Sequence, residues 1–255
     1  MTDMKLQKIL TLPDSLSSIE MYLSSGKLVL VGHKYASVSP YSLYRYYTPE
    51  SRTVVAIYNI TSPENPKLER YNQVDGDYRD SRLIGSTLYF LSTSTLRIPP
   101  IYLSKNTADT SEFQKVISEV DKNFALKYVV PQIREARSSS STGKYTQSTR
   151  SSVASCSDIT FVLPDDETLK HIDFSPGFVV ISSIDILTPT STMKSELLFG
   201  DVSQIHMSRS ALYITSTISQ TVGSSDSSVS DKSMLPWYGQ YQSSTLVHRY
   251  ALVNG

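Results

Sequence analysis

This sequence has no charge imbalance, only one cysteine and no long apolar run, and each of these features excludes a class of protein. The 255 residues carry 24 basic and 24 acidic side chains, so the formal net charge is zero. Nucleic-acid binders usually present a basic stripe, so no nucleic-acid partner is expected. Cys156 is the single cysteine, which excludes an internal disulfide and any zinc site built from several cysteines.

Membrane and export segments are also missing from the sequence. No stretch reaches the roughly 18 apolar residues of a membrane-spanning helix, so no transmembrane segment is expected. Met1 to Leu12 is too polar for a signal peptide, and an export signal would have to lie outside this chain. Tyrosine, in contrast, is abundant, with 17 residues against one tryptophan. This bias favours half-buried β surfaces, where the ring packs and the hydroxyl stays in water.

An internal repeat gives the main evidence for the fold. A hairpin pattern, in which a strand, a tight turn of small polar residues and a second strand follow one another, occurs three times. An apolar residue stands five positions before the second strand in every copy. The second strands of the first two copies begin 60 residues apart. The three second strands are Leu28–Val31, Leu88–Leu91 and Leu212–Thr215.

A further pair of strands follows each hairpin. Val54–Ile60, Val180–Ile186 and Leu246–Leu252 match one another as β-branched and aromatic runs. After the first of them a proline-rich turn ends the strand, and Lys67–Tyr71 resumes as a fourth strand. Lys5–Ile9 resembles this fourth strand and lies 62 residues earlier.

Four antiparallel strands over about 60 residues are typical of a propeller blade. We predict an all-β fold made of part of a β-propeller, with about two to three blades. Residues 1–13 are a blade remnant, 14–74 one blade, 75–200 a blade with an insertion, and 201–255 an incomplete blade. Closed propellers have about four to eight blades, so the chain is expected to be an internal part of a longer protein. The alternative is a β-sandwich, against which the four-strand period argues.

The insertion in the second repeat runs from about Arg97 to Phe174. Within it, Thr110–Lys122 has apolar residues at the i, i+3, i+4 and i+7 positions of a helix, which predicts one short helix. Ser138–Ser157 is rich in serine and has no hydrophobic period, which predicts a mobile loop.

Two groups of polar residues are candidate sites. Asp75, Asp77 and Asp80 surround a glycine and could bind calcium, although they lack the final glutamate of an EF-hand loop and also suit an ordinary turn. No other cofactor is expected. Glu20, Asp80 and Gln204 occupy equivalent positions in the first strands of the three repeats, where they would face the central channel of a propeller. Such a ring serves structure as well as catalysis, and no catalytic residue is assigned.

Part of the sequence resembles a known family. Ile60–Leu68 and Asp80–Tyr89 are similar to a turn and hairpin of secreted bacterial and archaeal proteins whose C-terminal β-propeller domain is distantly related to WD repeats. Val130–Arg134 resembles the proline-arginine stretch of that family, and Leu197–Thr215 resembles its next blade entry. The resemblance covers most of the chain outside the serine-rich loops. It implies an extracellular or cell-envelope location and supplies no catalytic residues.

Two functional hypotheses follow. The leading one is a non-enzymatic binding or scaffolding propeller, with a protein or glycan ligand at its face. It is favoured because the residues beyond the four-strand repeat lie mostly in predicted loops, where propellers bind their ligands. The alternative is a carbohydrate-active or peptidase-associated enzyme that uses channel-facing carboxylates, of which Glu20 and Asp80 are the candidates.

Overall fold

The computed structural model describes the chain in segments, and almost all of its regular structure is β-strand. The described residues are 6, 8–10, 12, 16–35, 51–95, 129–138, 145–147, 150–161, 177–200, 202–222 and 240–252. Within them the strands are numbered β1 to β15, and a 3-10 helix covers Cys156–Asp158. The helix predicted at Thr110–Lys122 lies outside the described residues. The division of the chain at residues 13, 74 and 200 stays a prediction.

The first sheet, called sheet A, starts with four antiparallel strands in chain order. They are β1 (Ser17–Ser24), β2 (Lys27–Tyr35), β3 (Ser51–Asn59) and β4 (Lys67–Asp75). The turn between β1 and β2 has two residues, Ser25 and Gly26, with φ angles of 48° and 73°. Two positive φ angles are the geometry of a type I′ turn, whose twist matches that of the flanking strands.

The second sheet, sheet B, repeats the same meander. Its antiparallel strands are β5 (Asp77–Ile84), β6 (Thr87–Thr95), β11 (Gly177–Asp185) and β12 (Lys194–Gly200), and β10 (Ile159–Phe161) pairs parallel with β12. The third sheet, sheet C, contains three antiparallel strands in the described part of the chain. They are β13 (Gln204–Met207), β14 (Ala211–Val222) and β15 (Gln240–Ala251).

The insertion between β6 and β11 adds strands to sheet A. β7 (Gln132–Ser138) pairs antiparallel with β4, and both β8 (Tyr145–Gln147) and β9 (Ser151–Ser152) pair with β7. β8 and β9 lie in the serine-rich stretch Ser138–Ser157, for which the sequence predicts a mobile loop. The prediction missed them because backbone pairing with β7 requires no alternation of apolar side chains.

Three apolar clusters show that the sheets pack face to face in the order A, B, C. The largest fills the space between sheets A and B and includes Val31, Ile57, Phe90 and Ile184. A second cluster, with Leu91, Leu198, Leu212 and Ile214 among its members, joins sheets B and C. The third covers the face of sheet A that points away from sheet B and is formed by Leu30, Val54, Ala56, Tyr58 and Tyr71.

The segment before β1 lies beside this third cluster. Leu10, Leu12 and Leu16 pack against it and remain half-buried. The residues described earlier in the segment form no strand, and two of them, Leu6 and Ile9, are 76% and 75% exposed. Residues 6, 8 and 9, the described part of the strand predicted at Lys5–Ile9, are therefore not in a strand.

Candidate functional site

The first strands of the three sheets lie side by side, and hydrogen bonds connect each to the next. The Tyr22 hydroxyl of β1 donates to the backbone carbonyl of Ser81 in β5, at 2.7 Å. The Arg82 guanidinium of β5 donates to the backbone carbonyl of Met207 in β13, at 2.5 Å. Tyr22 and Arg82 hold the same position in successive repeats, so one pattern of contact links A to B and B to C. In the third repeat this position is occupied by His206.

The residues predicted to face a central channel lie along these strands. Glu20 in β1 is opposite Val31, Asp80 in β5 is opposite Leu91, and Gln204 in β13 is opposite Thr215. Glu20 and Gln204 are exposed and Asp80 is half-buried. One oxygen of the Asp80 carboxylate accepts a hydrogen bond from the backbone amide of Ser81, at 2.8 Å.

A hydrogen-bonded group of two tyrosines and a serine lies on β1 and β5, the two strands that also carry Glu20 and Asp80. The hydroxyls of Tyr22 and Tyr78 are 2.9 and 2.8 Å from the Ser81 hydroxyl. Burial raises the pKa of Tyr22 and that of Tyr78, and the nearby charges of Glu20 and Asp80 raise both further, while the bonds to Ser81 oppose the change. Both phenols therefore stay neutral at physiological pH. Neutral hydroxyl groups beside carboxylate acceptors make this a polar surface with little charge of its own besides the two carboxylates.

The repeat in the sequence predicts the two carboxylates, Glu20 and Asp80, but it does not predict the two tyrosines. Tyr22 and Tyr78 are not at equivalent positions in their repeats, so no alignment of repeats pairs them. The high tyrosine content indicates that tyrosines could belong to the site, but it does not identify which of them do.

The three aspartates proposed for calcium have different surroundings. The Asp75 carboxylate is buried and lies 2.7 Å from Arg134 Nη1 and 3.6 Å from Arg52 Nε, and it accepts a bond from the Gln132 amide at 3.2 Å. Asp77 is exposed. In the described part of the chain, no three His, Cys, Asp or Glu side chains are grouped so that they could hold a metal ion. Calcium binding stays a prediction, and Asp75 already has two cationic partners.

Gly76, the glycine among these aspartates, is required by the backbone geometry of the connection. Gly76 connects β4 of sheet A to β5 of sheet B with a φ angle of 116°. A Cβ atom at this position would lie 2.7 Å from the carbonyl oxygen of Thr93. Only glycine fits this close approach between two sheets, with or without an ion.

A groove of about 490 Å³ opens between sheets B and C, away from the first strands. Its lining combines Tyr89 and Ile181 of sheet B, Lys194 and Glu196 of β12, and Tyr250 of β15. Burial raises the pKa of Tyr250, and the charge of Glu196 adds to the effect. The groove lies beside β15, which in the described residues pairs only with β14.

Two antiparallel four-stranded meanders and a third sheet of three described strands pack face to face in chain order, with their first strands side by side, which is how the blades of a β-propeller are arranged. A sequence model of the β-propeller domain family matches residues 1–255, so the chain belongs to this family. The match confirms the predicted fold class. Neither curated proteins nor solved structures give a match. Among the described residues, no helix has the length and apolar character needed to cross a membrane.

Proposed function

We propose that this chain is a non-enzymatic binding or scaffolding propeller, and that it binds a protein or a glycan along the edge formed by β1, β5 and β13. One observation carries the proposal: the hydroxyls of Tyr22 and Tyr78 meet at the Ser81 hydroxyl, on the two first strands that also carry the carboxylates Glu20 and Asp80. Anionic acceptors and neutral hydroxyl groups are therefore concentrated at one place on the exposed strand edges.

The chemistry of this edge favours a polar ligand without a large charge. Carboxylates accept hydrogen bonds from sugar hydroxyls or backbone amides, and Arg82 adds a cation on the same strand as Asp80. Half-buried tyrosine rings offer apolar surface beside these groups. The zero net charge of the chain gives no long-range attraction for a polyanion.

Export to the cell envelope or the medium is the second part of the proposal. It is supported by the resemblance of Ile60–Leu68 and Asp80–Tyr89 to secreted proteins whose propeller is distantly related to WD repeats. Fractionation of the native host with an antibody against the chain tests it. Recovery in the envelope or medium is expected, and recovery only in the cytosol would reject the export proposal without affecting the binding proposal.

Binding is tested with glycan and peptide arrays, followed by titration of the best ligand. The double variant Glu20→Gln/Asp80→Asn removes both negative charges and keeps the side-chain shapes. We expect at least about a tenfold loss of affinity, because hydrogen bonds to charged groups contribute about 1.5–3 kcal/mol each. Glu64→Gln, in the exposed turn before β4, is the matched control. Equal affinity of the double variant and the control would reject this site.

An enzymatic role is the second candidate, and the neighbouring carboxylates Glu20 and Asp80 favour it, since glycosidases act with a pair of such groups. Panels of glycoside and peptide substrates test this role. Turnover that is lost in both Glu20→Gln and Asp80→Asn would establish an enzyme. Binding without turnover would support the non-enzymatic role.

A further inference from the structure

The protons of the three hydroxyls at the proposed binding site can be assigned from their hydrogen bonds. The Tyr22 hydroxyl lies 2.7 Å from the Ser81 carbonyl oxygen, which only accepts, so the phenol donates its single proton there. The Ser81 hydroxyl, 2.9 Å from the Tyr22 oxygen, must then donate to that oxygen. The Tyr78 hydroxyl, 2.8 Å from the Ser81 hydroxyl oxygen, must in turn donate to Ser81. Donation therefore runs in one direction, from Tyr78 through Ser81 and Tyr22 to the Ser81 carbonyl.

This series of bonds leaves no hydroxyl proton for a ligand. Burial raises the pKa of Tyr22 and of Tyr78, so each phenol keeps its proton at neutral pH. All three protons are used inside the group, and the hydrogen-bonding capacity that remains on its oxygens is that of acceptors. The hydroxyl triad of Tyr22, Ser81 and Tyr78 is therefore an acceptor towards whatever binds beside it.

The two carboxylates of the site add further acceptors. Glu20 stands two residues before Tyr22 on β1, so both side chains lie on the same face of that strand. Asp80 uses one oxygen to accept a bond from the Ser81 amide, at 2.8 Å. Its second oxygen and both oxygens of Glu20 can accept from a ligand.

The arginines of β5 are directed to other groups. Arg82 donates to the Met207 carbonyl of sheet C at 2.5 Å, and Arg79 donates to the Thr93 hydroxyl at 2.6 Å. Among the side chains that the structure describes, neither carboxylate of the site forms an ion pair with a lysine or an arginine. The site thus combines negative charge with acceptors and lacks a cation of its own in contact with them.

We propose that the partner at this site is a protein, recognised through the ammonium group of a lysine side chain. The inference rests on the proposed function and names the ligand of the same site. An ammonium has three donors and no acceptor, so it matches side chains that can only accept. The stem of a lysine is apolar and can lie on the rings of Tyr22 and Tyr78, which are half-buried against the core between sheets A and B.

A sugar matches the same acceptors less well. Each sugar hydroxyl has acceptor lone pairs as well as a proton, and the hydroxyl triad and the two carboxylates offer those lone pairs no donor. A polar group that loses water without gaining a partner costs free energy. This cost applies to neutral sugars and also to an amino sugar, because hydroxyls flank its amine.

A guanidinium also matches less well than an ammonium. Its planar fork binds best to both oxygens of one carboxylate, and one oxygen of Asp80 is already bonded to the Ser81 amide. A phenol offers only a single oxygen. The compact ammonium, with three donors that rotate, can instead be shared among acceptors on different side chains.

Titration with Nα-acetyl-lysine methylamide, followed by NMR, tests recognition of the ammonium directly. Shifts are expected at the backbone amides of β1 and β5 around the hydroxyl triad. The Nε-acetylated compound has no charge and only one side-chain donor, so it should bind at least about tenfold more weakly. Equal binding of the two compounds overturns the proposal. Tighter binding of glucosamine or of the arginine derivative also overturns it.

Two variants locate the ammonium on the residues of the site. Glu20→Gln replaces an exposed carboxylate and should weaken binding of the lysine derivative at least about tenfold, while Tyr78→Phe removes an acceptor oxygen and should weaken it at least about threefold. Glu64→Gln and Tyr35→Phe make the same changes at exposed positions outside the site and should bind as the wild type does. Wild-type affinity in both Glu20→Gln and Tyr78→Phe overturns the proposal.

The arrays separate this inference from the proposed function. Peptides that bind the wild type but not Glu20→Gln/Asp80→Asn are synthesised again with each lysine acetylated in turn, and acetylation of one lysine should lower the affinity at least about tenfold. If acetylation has no effect, or if only glycans bind at the site, the lysine proposal is wrong and the binding site stands. If no ligand distinguishes the double variant from Glu64→Gln, both proposals are wrong.

Discussion

Asp75 shows at the scale of one residue how a carboxylate can resemble a calcium ligand and serve another role. Its oxygens interact with two arginines, Arg134 and Arg52, and the side chain is only 6% exposed. Loss of one partner from a buried ion pair leaves the other charge without compensation. Asp75→Asn should lower the free energy of unfolding by about 3 kcal/mol, measured by urea denaturation. Asp77→Asn, two residues away and exposed, should change it by less than about 0.5 kcal/mol.

The calcium hypothesis for Asp75, Asp77 and Asp80 predicts a different result. If an ion binds there, the melting temperature rises with added calcium and falls with a chelator, and Asp77→Asn abolishes the response. If the arginines alone occupy Asp75, the melting temperature is the same in both solutions. The two variants, each measured with calcium and with a chelator, distinguish a calcium site from a carboxylate that is paired only with arginines.

Gly76 and Gly85 form a natural comparison of two glycines with positive φ angles. A Cβ atom on Gly76 would meet the backbone of Thr93, whereas one on Gly85 would have nothing within 4 Å. Gly85→Ala should cost only the positive φ angle, about 1–2 kcal/mol. Gly76→Ala adds overpacking between sheets A and B, for a total of about 2–4 kcal/mol. Equal losses in the two variants would show that the Thr93 contact is unimportant.

The phenols of Tyr22 and Tyr78 predict a loss of stability in alkali. Burial raises the pKa of each above its value in the unfolded chain, which is about 10. Their contribution to stability is therefore complete below about pH 10 and is lost as the pH rises further. Urea midpoints should fall above about pH 10, and they should fall less steeply in Tyr22→Phe/Tyr78→Phe. Tyr35→Phe, which removes an exposed tyrosine, should keep the wild-type slope.

At the scale of an element, β7 joins the insertion to sheets A and B. Arg70 of β4 is 1% exposed, lies 3.7 Å from Glu135 of β7, and donates to the Ser191 hydroxyl in the turn before β12 at 3.0 Å. Glu135 also accepts a bond from the amide of Met193. Burial lowers the pKa of Arg70, and the Glu135 charge opposes this. The insertion thus supplies the carboxylate for a buried cation.

Glu135→Ala tests this role. We expect a loss of about 3 kcal/mol in the free energy of unfolding, because Arg70 stays buried without its carboxylate. In the background Arg70→Met the same change should cost much less, which a double-mutant cycle measures. Glu64→Ala, in the exposed turn before β4, is the control. Additive losses in the cycle would contradict the coupling.

The hairpins could be predicted from sequence, whereas the strands of the insertion could not. The β1–β2 hairpin depends on residues that are neighbours in the chain, with Gly26 in the turn and a short apolar run from Leu28 to Val31 after it. β7 pairs with a strand about 60 residues away, and its position depends on which edge of sheet A is open. Nothing local specifies such a pairing. The same limit applies to Asp75, whose partner Arg134 is 59 residues distant.

The positions of the candidate site could be predicted from the sequence, but its contacts between sheets could not. Equivalent positions in the repeat locate Glu20, Asp80 and Gln204 on first strands, and the structure places them there. The bonds of Tyr22 and Tyr78 to Ser81 arise from the packing of one sheet on another. A repeat identifies positions within a blade but not the contacts between unlike residues of two blades.

At the scale of the whole molecule, the sheets are joined by cores of unequal size. Among the side chains that the structure describes, fifteen buried ones form the cluster between sheets A and B, and seven form the cluster between sheets B and C. Since apolar burial is the main source of stability, sheet C is held less strongly than sheet A. Regions with smaller cores open more often without global unfolding.

Hydrogen exchange of the wild-type chain tests this difference. The amides of β14 and β15 should exchange faster than those of β2 and β3, because sheet C can detach while A and B stay packed. Leu212→Ala should speed exchange in sheet C alone. Ile57→Ala, in the larger cluster, should speed exchange in all three sheets, because it lowers global stability by about 2–5 kcal/mol. Uniform acceleration in both variants would mean that the three sheets unfold as one unit.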